Sequence, residues 1–138
     1  MSNTIRFSVS IERDLMEAFD ELCGQRGWTN RSEAVRDAIR RQLVDREWEA
    51  GEEVAGVITL LYDHHGSDLS RKLTEIQHHA LDLVISTTHV HIDEANCLEF
   101  LAVRGEARAI ERLADRLIGL KGVKHGQLTG TSTGKNIR

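Results

Sequence analysis

The hydrophobic period changes repeatedly along this chain, and each change marks an element. Residues 5–11 alternate apolar and polar positions, the signature of a half-buried strand. Ile5, Phe7, Val9 and Ile11 lie on one face, and Arg6, Ser8 and Ser10 on the other. From Asp14 to Cys23 the apolar positions are 15, 18, 19 and 22, which is helical spacing. Gly24 and Gly27 close that helix. Asn30-Arg31-Ser32-Glu33 then reads as a helix start. Asn30 can cap the free amides, and Glu33 can reach back as in a capping box. The helix runs to about Asp45, with Ala34, Val35, Ala38, Ile39 and Leu43 as its apolar stripe. A lone strand before two helices leaves backbone groups unpaired and an apolar face open. Two copies of the strand pairing antiparallel would resolve both problems.

The second half follows another order. Residues 54–62 (VAGVITLLY) form a buried-looking strand, and residues 67–78 a helix with Leu69, Leu73 and Ile76 at helical spacing. Residues 81–92 are rich in β-branched side chains and read as a strand, as do residues 97–103 (CLEFLAV) before a break at Gly105. Residues 107–120 form a helix and residues 123–128 a last short strand. The order βαββαβ predicts a ferredoxin-like split motif. The fold class is therefore α+β: a βαα module over 1–46, a linker over 47–53, a βαββαβ domain over 54–130 and a flexible polar tail over 131–138. The chain has no proline, so the linker rests on composition alone, where the helical pattern dissolves in REWEAGEE at 46–53.

Length and charge narrow the possibilities. At 138 residues with 40% apolar side chains, the chain suits two small modules that gain by oligomerising. No apolar run reaches the roughly 20 residues needed to span a bilayer. The N-terminus lacks a signal-peptide pattern, so a cytoplasmic protein is expected. Net charge is −4, against a uniformly basic nucleic-acid binder. Residues 1–46 are nevertheless neutral, with Arg31, Arg36, Arg40 and Arg41 gathered late. This part could meet a phosphate backbone; the rest has no overall attraction to one.

The richest chemistry lies between 77 and 97. His89 and His91 are two residues apart and share one face of a strand. Cys97 follows across Asp93-Glu94-Ala95-Asn96, a stretch suited to a hairpin turn. A chain turning back there sets the thiol beside two imidazoles. His78 would complete a set of three nitrogens and one sulfur, within one chain or across to another. Such donors suit Zn, Cu and Ni, while hard cations prefer oxygen. Two cysteines, Cys23 and Cys97, do not make a disulfide framework. His64, His65 and His79 read as solvated or supporting residues, and His125 as structural. The wet face Arg6, Ser8 and Ser10 suits a two-stranded ribbon in a major groove, where Arg bonds guanine and Ser donates or accepts. Asn30 and Arg31 would then anchor phosphates. Glu33 and Asp37, one turn apart, are an ion site or simply pair with Arg36 and Arg40.

Together RFSVSI at 6–11, RGWTNRSEAVRDAIR at 26–40, QHHALDLVISTTHVHIDEANCLEF at 77–100 and GVKHG at 122–126 give the chain its resemblance to the NikR family of nickel-responsive transcriptional regulators, from about Ile5 to Leu128. The resemblance implies a homotetramer in which two ribbon-helix-helix dimers flank four ferredoxin-like (ACT-type) domains. It implies one Ni(II) per subunit, held in a planar site by His89, His91 and Cys97 of one chain and His78 of a neighbour. Gln77 and Glu99 match positions that support the metal site. Arg6, Ser8 and Ser10 would read bases of a double-stranded operator, and Glu33 and Asp37 would help hold a cation. The family's basic pair after the first regulatory strand is replaced here by Gly66 and Ser67, and the more usual Thr is Ser at 8 and 10. The expected function is repression of nickel-uptake genes by Ni(II)-dependent binding to a palindromic operator. The rival readings are a zinc- or copper-responsive regulator and a metal store that binds no DNA. An enzyme is not expected, because four protein ligands leave no open position and no acid–base pair stands out.

Overall fold

A computed structural model describes residues 3–65 and 67–138, so Gly66 lies outside the described residues. The chain divides into two compact units, Met1–Ile39 and Arg40–Arg138.

In the first unit, residues 3–12 form neither helix nor strand. The expected strand at 5–11 is absent from the single chain, and Ile5 and Phe7 are 85% and 72% exposed. The physical reason is that a strand is defined by its partner, and one copy supplies none. Helix α1 spans Arg13–Gln25. Gly24 sits inside it rather than ending it; Gly27, at φ 70°, is the terminating glycine. Trp28 N–H donates to Cys23 O and Gly27 N–H to Gly24 O, which closes a Schellman motif. Helix α2 spans Arg31–Glu49. Asn30 Oδ1 accepts from Glu33 N–H at 2.9 Å, as the cap reading requires. Glu33 does not reach back to the cap; its carboxylate pairs with Arg36. Replacing Asn30 with Ala is expected to cost about 1 kcal/mol of stability, read by denaturant unfolding; an unchanged midpoint would deny the cap a role. Ala34 and Cys23 are buried, while Leu15 and Ile39 remain largely exposed.

The second unit holds a four-stranded antiparallel sheet. Its strands are β1 (Glu53–Asp63), β2 (Val84–His91), β3 (Asn96–Glu106) and β4 (Val123–Thr131). Helices α3 (Ser67–His78) and α4 (Ala107–Ile118) are the crossovers. The sheet order β2-β3-β1-β4 makes two βαβ units that each skip one intervening strand, the ferredoxin-like arrangement expected. Alternation on β1 buries Val54, Ile58, Leu60 and Tyr62; alternation on β3 buries Cys97, Glu99, Leu101 and Val103. Leu69 and Leu73 of α3, and Ile110, Leu113 and Leu117 of α4, complete that core. The opposite sheet face leaves Val57, Ile85, Val90 and Phe100 exposed.

Several boundaries differ from the sequence reading. The helix expected to stop near Asp45 continues to Glu49, so 47–49 are helical rather than linker. Trp48 explains this. Its indole packs against the core and donates Nε1–H to Thr131 O at 2.9 Å. Gly130 makes room, because a Cβ there would meet the indole at 2.5 Å. Gly51 at φ 70° ends the helix in a second Schellman motif, with Glu52 N–H donating to Glu47 O. Gly105 does not break β3, which runs on to Glu106. β2 begins at Val84, not Leu81, because 79–83 turn out of α3. The tail expected to be loose also makes contacts. β4, expected to end at 128, runs on to Thr131, the first residue of that tail; Asn136 Nδ2–H donates to Glu47 Oε1 at 3.3 Å, and Arg138 O accepts from Arg40 Nε–H at 2.8 Å.

Candidate metal centre

Strand register assembles the site. β2 and β3 pair antiparallel with His91 opposite Cys97 and His89 opposite Glu99. The connection is the polar turn read from the sequence. Asp93 Oδ1 accepts from the amides of Ala95 and Asn96, and Ile92 N–H donates to Asn96 O. Hydrogen bonds from the Asn96 side chain and these two amides hold the Asp93 carboxyl down at a pKa of about 2. The sign follows. The folded pKa lies below the usual ~3.9 of an unfolded Asp, so the turn's contribution is whole above about pH 4 and is lost as pH falls toward 2. The Asp93→Ala variant is expected to lose that part of the acid dependence, read from unfolding at a series of pH values. An identical acid profile would show that the turn does not depend on this carboxylate.

Beneath His89 lies a buried polar network. Glu99 is 1% exposed and accepts from Tyr62 Oη–H at 2.9 Å and Gln77 Nε2–H at 2.8 Å. His89 Nε2 lies 3.1 Å from the same carboxylate, and its Nδ1 lies 3.3 Å from the Tyr62 hydroxyl. Thr87 Oγ1–H donates to Gln77 Oε1, tying α3 to β2. Burial, then hydrogen bonding to the Cys97 thiol, then the charge of Glu99 push the Tyr62 pKa well above the usual tyrosine range. Tyr62 therefore stays a neutral donor. Gln77 and Glu99, the expected supporting pair, are bonded to each other, and Glu99 lies against the His89 ring.

Not every expected ligand converges. His78 ends α3 and lines a surface groove with Ser70, Arg71, Thr74 and Glu75, whereas its neighbour Gln77 bonds Glu99. Among the described residues, no three His, Cys, Asp or Glu side chains form a ready metal-holding group. His89 turns one ring nitrogen to Glu99 and the other toward Tyr62. The donor set still fits a soft or borderline transition metal: a buried thiol at Cys97 and two imidazoles from facing and adjacent register positions.

Tyr62, which touches His89, Glu99 and Cys97, was not singled out by the sequence reading. A signal existed: it is the sole tyrosine, and it sits in phase with buried Ile58 and Leu60. A buried phenol needs a partner. His64 was also set aside, yet its ring stands edge-on to His91 with centroids 5.2 Å apart.

The expected DNA-contacting residues are all in the first unit. Arg6, Ser8 and Ser10 are exposed. Arg31 is held in a bidentate pair with Asp20, at 2.9 and 2.6 Å, and the Asn30 side chain is spent on the helix cap. Among the described residues, no helix is long and apolar enough to cross a membrane.

Comparison with known proteins identifies both parts of the chain. Residues 55–131 match the NikR C terminal nickel binding domain, and residues 5–46 match the ribbon-helix-helix protein family of copG type. A relative from Geobacter sulfurreducens is 57% identical over 138 residues, and one from Geotalea uraniireducens 56% identical, each alignment covering 99% of both chains. One from Desulfovibrio desulfuricans is 52% identical over 137 residues, again covering 99% of both. The names of all three contain the words nickel-responsive regulator. A DNA-binding module and a nickel-binding module in one chain make a transcriptional regulator rather than an enzyme, and this chain belongs to the NikR family of nickel-responsive regulators.

Proposed function

We propose that this chain is a cytoplasmic repressor of nickel-uptake genes that binds a palindromic operator when it holds one Ni(II) per subunit. The observation that carries the metal reading is the β2–β3 register, which sets His91 opposite Cys97 and His89 over the buried Glu99. His89, His91 and Cys97 are the ligands from one chain, and His78 of a second subunit is the fourth. The placement of His78 on a groove away from Glu99 favours this sharing. Gln77 and Glu99 orient His89. Nickel supplies a fixed point joining two subunits. The response then depends on a difference in binding between two tetramer states, since occupancy alone shifts nothing.

The assembly is a homotetramer, a dimer of ribbon-helix-helix dimers. Exposed Ile5, Phe7, Val9 and Leu15 in the first unit, and exposed Val57, Ile85, Val90 and Phe100 in the second, are the apolar surfaces it would cover. The division into a DNA-binding part, 1–46, and a regulatory part, 54–130, belongs to this reading. So do base contacts by Arg6, Ser8 and Ser10, phosphate contacts by Asn30 and Arg31, and a cation held with Glu33 and Asp37. Arg31 must exchange Asp20 for phosphate, and Glu33 must leave Arg36.

The test is DNA binding titrated against nickel, with subunit stoichiometry read from the break point. Saturation at one nickel per subunit is the expected result; a response complete well below that would refute the stoichiometry. Within the same assay, Arg6→Ala is expected to cost about 1–3 kcal/mol of specific affinity and to relax base preference at its position. Unchanged affinity and preference would remove Arg6 from the base-reading set.

A further inference from the structure

We propose that residues 132–138 act as a strap that fastens the second half of α2 to the regulatory unit, so that this unit begins at Arg40 and not at β1. Three contacts carry the inference. Trp48 Nε1–H donates to Thr131 O at 2.9 Å, where β4 ends. Asn136 Nδ2–H donates to Glu47 Oε1 at 3.3 Å. Arg40 Nε–H donates to Arg138 O at 2.8 Å. The tail therefore runs beside α2 from Trp48 back to Arg40, and the compact unit starts at Arg40 within an unbroken helix. The tail is polar apart from half-buried Ile137, and its hydrogen bonds to the helix are the contacts that define the strap.

The grip is incomplete by construction. Glu47 is 5% exposed, yet Oε2 has no hydrogen-bond partner. A buried carboxylate oxygen left unpaired opposes closure. Held by two hydrogen bonds and opposed by that oxygen, the strap opens locally at low cost, as elements that move in regulation do. Its release would free α2 from Arg40 to Glu47 while Trp48 stays anchored at Thr131. Since α2 begins at Arg31, this sets how much of the helix follows the regulatory domain.

Hydrogen exchange on the full chain, compared with a chain ending at Thr131, tests this. Amides 41–47 are expected to exchange about tenfold faster in the shortened chain, with β1 and β3 unaltered. Equal exchange at 41–47 would overturn the strap. Should the shortened chain lose protection throughout, Arg40→Met decides, since it removes one tether at full length: loosening confined to 41–47 supports the proposal, and none overturns it. None of these readouts uses nickel or DNA, so they stand apart from a failure of the repressor reading.

Discussion

The Cys97→Ala variant is expected to lose nickel-dependent DNA binding while keeping its fold. Cys97 is the only sulfur in the proposed ligand set, and it sits opposite His91 in the β2–β3 register. Replacing a thiolate ligand by a methyl group removes the strongest donor, and nickel affinity should fall by about a hundredfold or more, beyond what supporting residues cost. Stability should change far less. The side chain is small and 2% exposed, and Tyr62, which loses its contact with the thiol, keeps Glu99 as acceptor. A cost on the order of 1 kcal/mol is expected. Circular dichroism and denaturant unfolding check the fold, and a competition titration checks the metal. A folded variant that still binds DNA in response to nickel would place the metal elsewhere.

Glu99→Ala should damage both functions of the network at once. The carboxylate accepts from Tyr62 and Gln77 and lies against His89. Truncation leaves two donors without this acceptor and opens a cavity at a fully buried position, for about 2–4 kcal/mol of lost stability. Nickel affinity should fall about 10–100-fold, because the carboxylate no longer orients the His89 ring. Glu99→Gln separates the two effects. The amide fills the space and keeps one acceptor oxygen, so stability should recover in part while nickel binding stays weak. Full nickel affinity in the Gln variant would show that the carboxylate does not orient His89.

What could be read from the sequence was whatever depends on local period and spacing. The alternation in β1 and β3, the stripe of α4 and the Asp93–Asn96 turn are local, and βαββαβ followed from them. The placing of His91 opposite Cys97 was also legible, since period two and one short turn suffice for that register. What escaped needed a second element or a second chain. Trp48 looked like part of a dissolving helix until β4 supplied Gly130 and Thr131 beneath it. Tyr62 gained its role only once β1 lay beside β3, with Tyr62 opposite Cys97. The segment 5–11 has the right pattern for a strand, but a single chain offers it no hydrogen-bonding edge. His78 was legible as the end of α3, but nothing in its spacing foretold that it would line a surface groove with Ser70, Arg71, Thr74 and Glu75.

The most direct test of the whole account is selection from randomised double-stranded DNA by the full chain without metal, with one equivalent of nickel, and with one equivalent of zinc. The account predicts that a palindromic sequence is recovered with nickel and not in the other two conditions. Equal selection with zinc would contradict nickel as the physiological signal, and selection of no sequence in any condition would contradict the repressor itself.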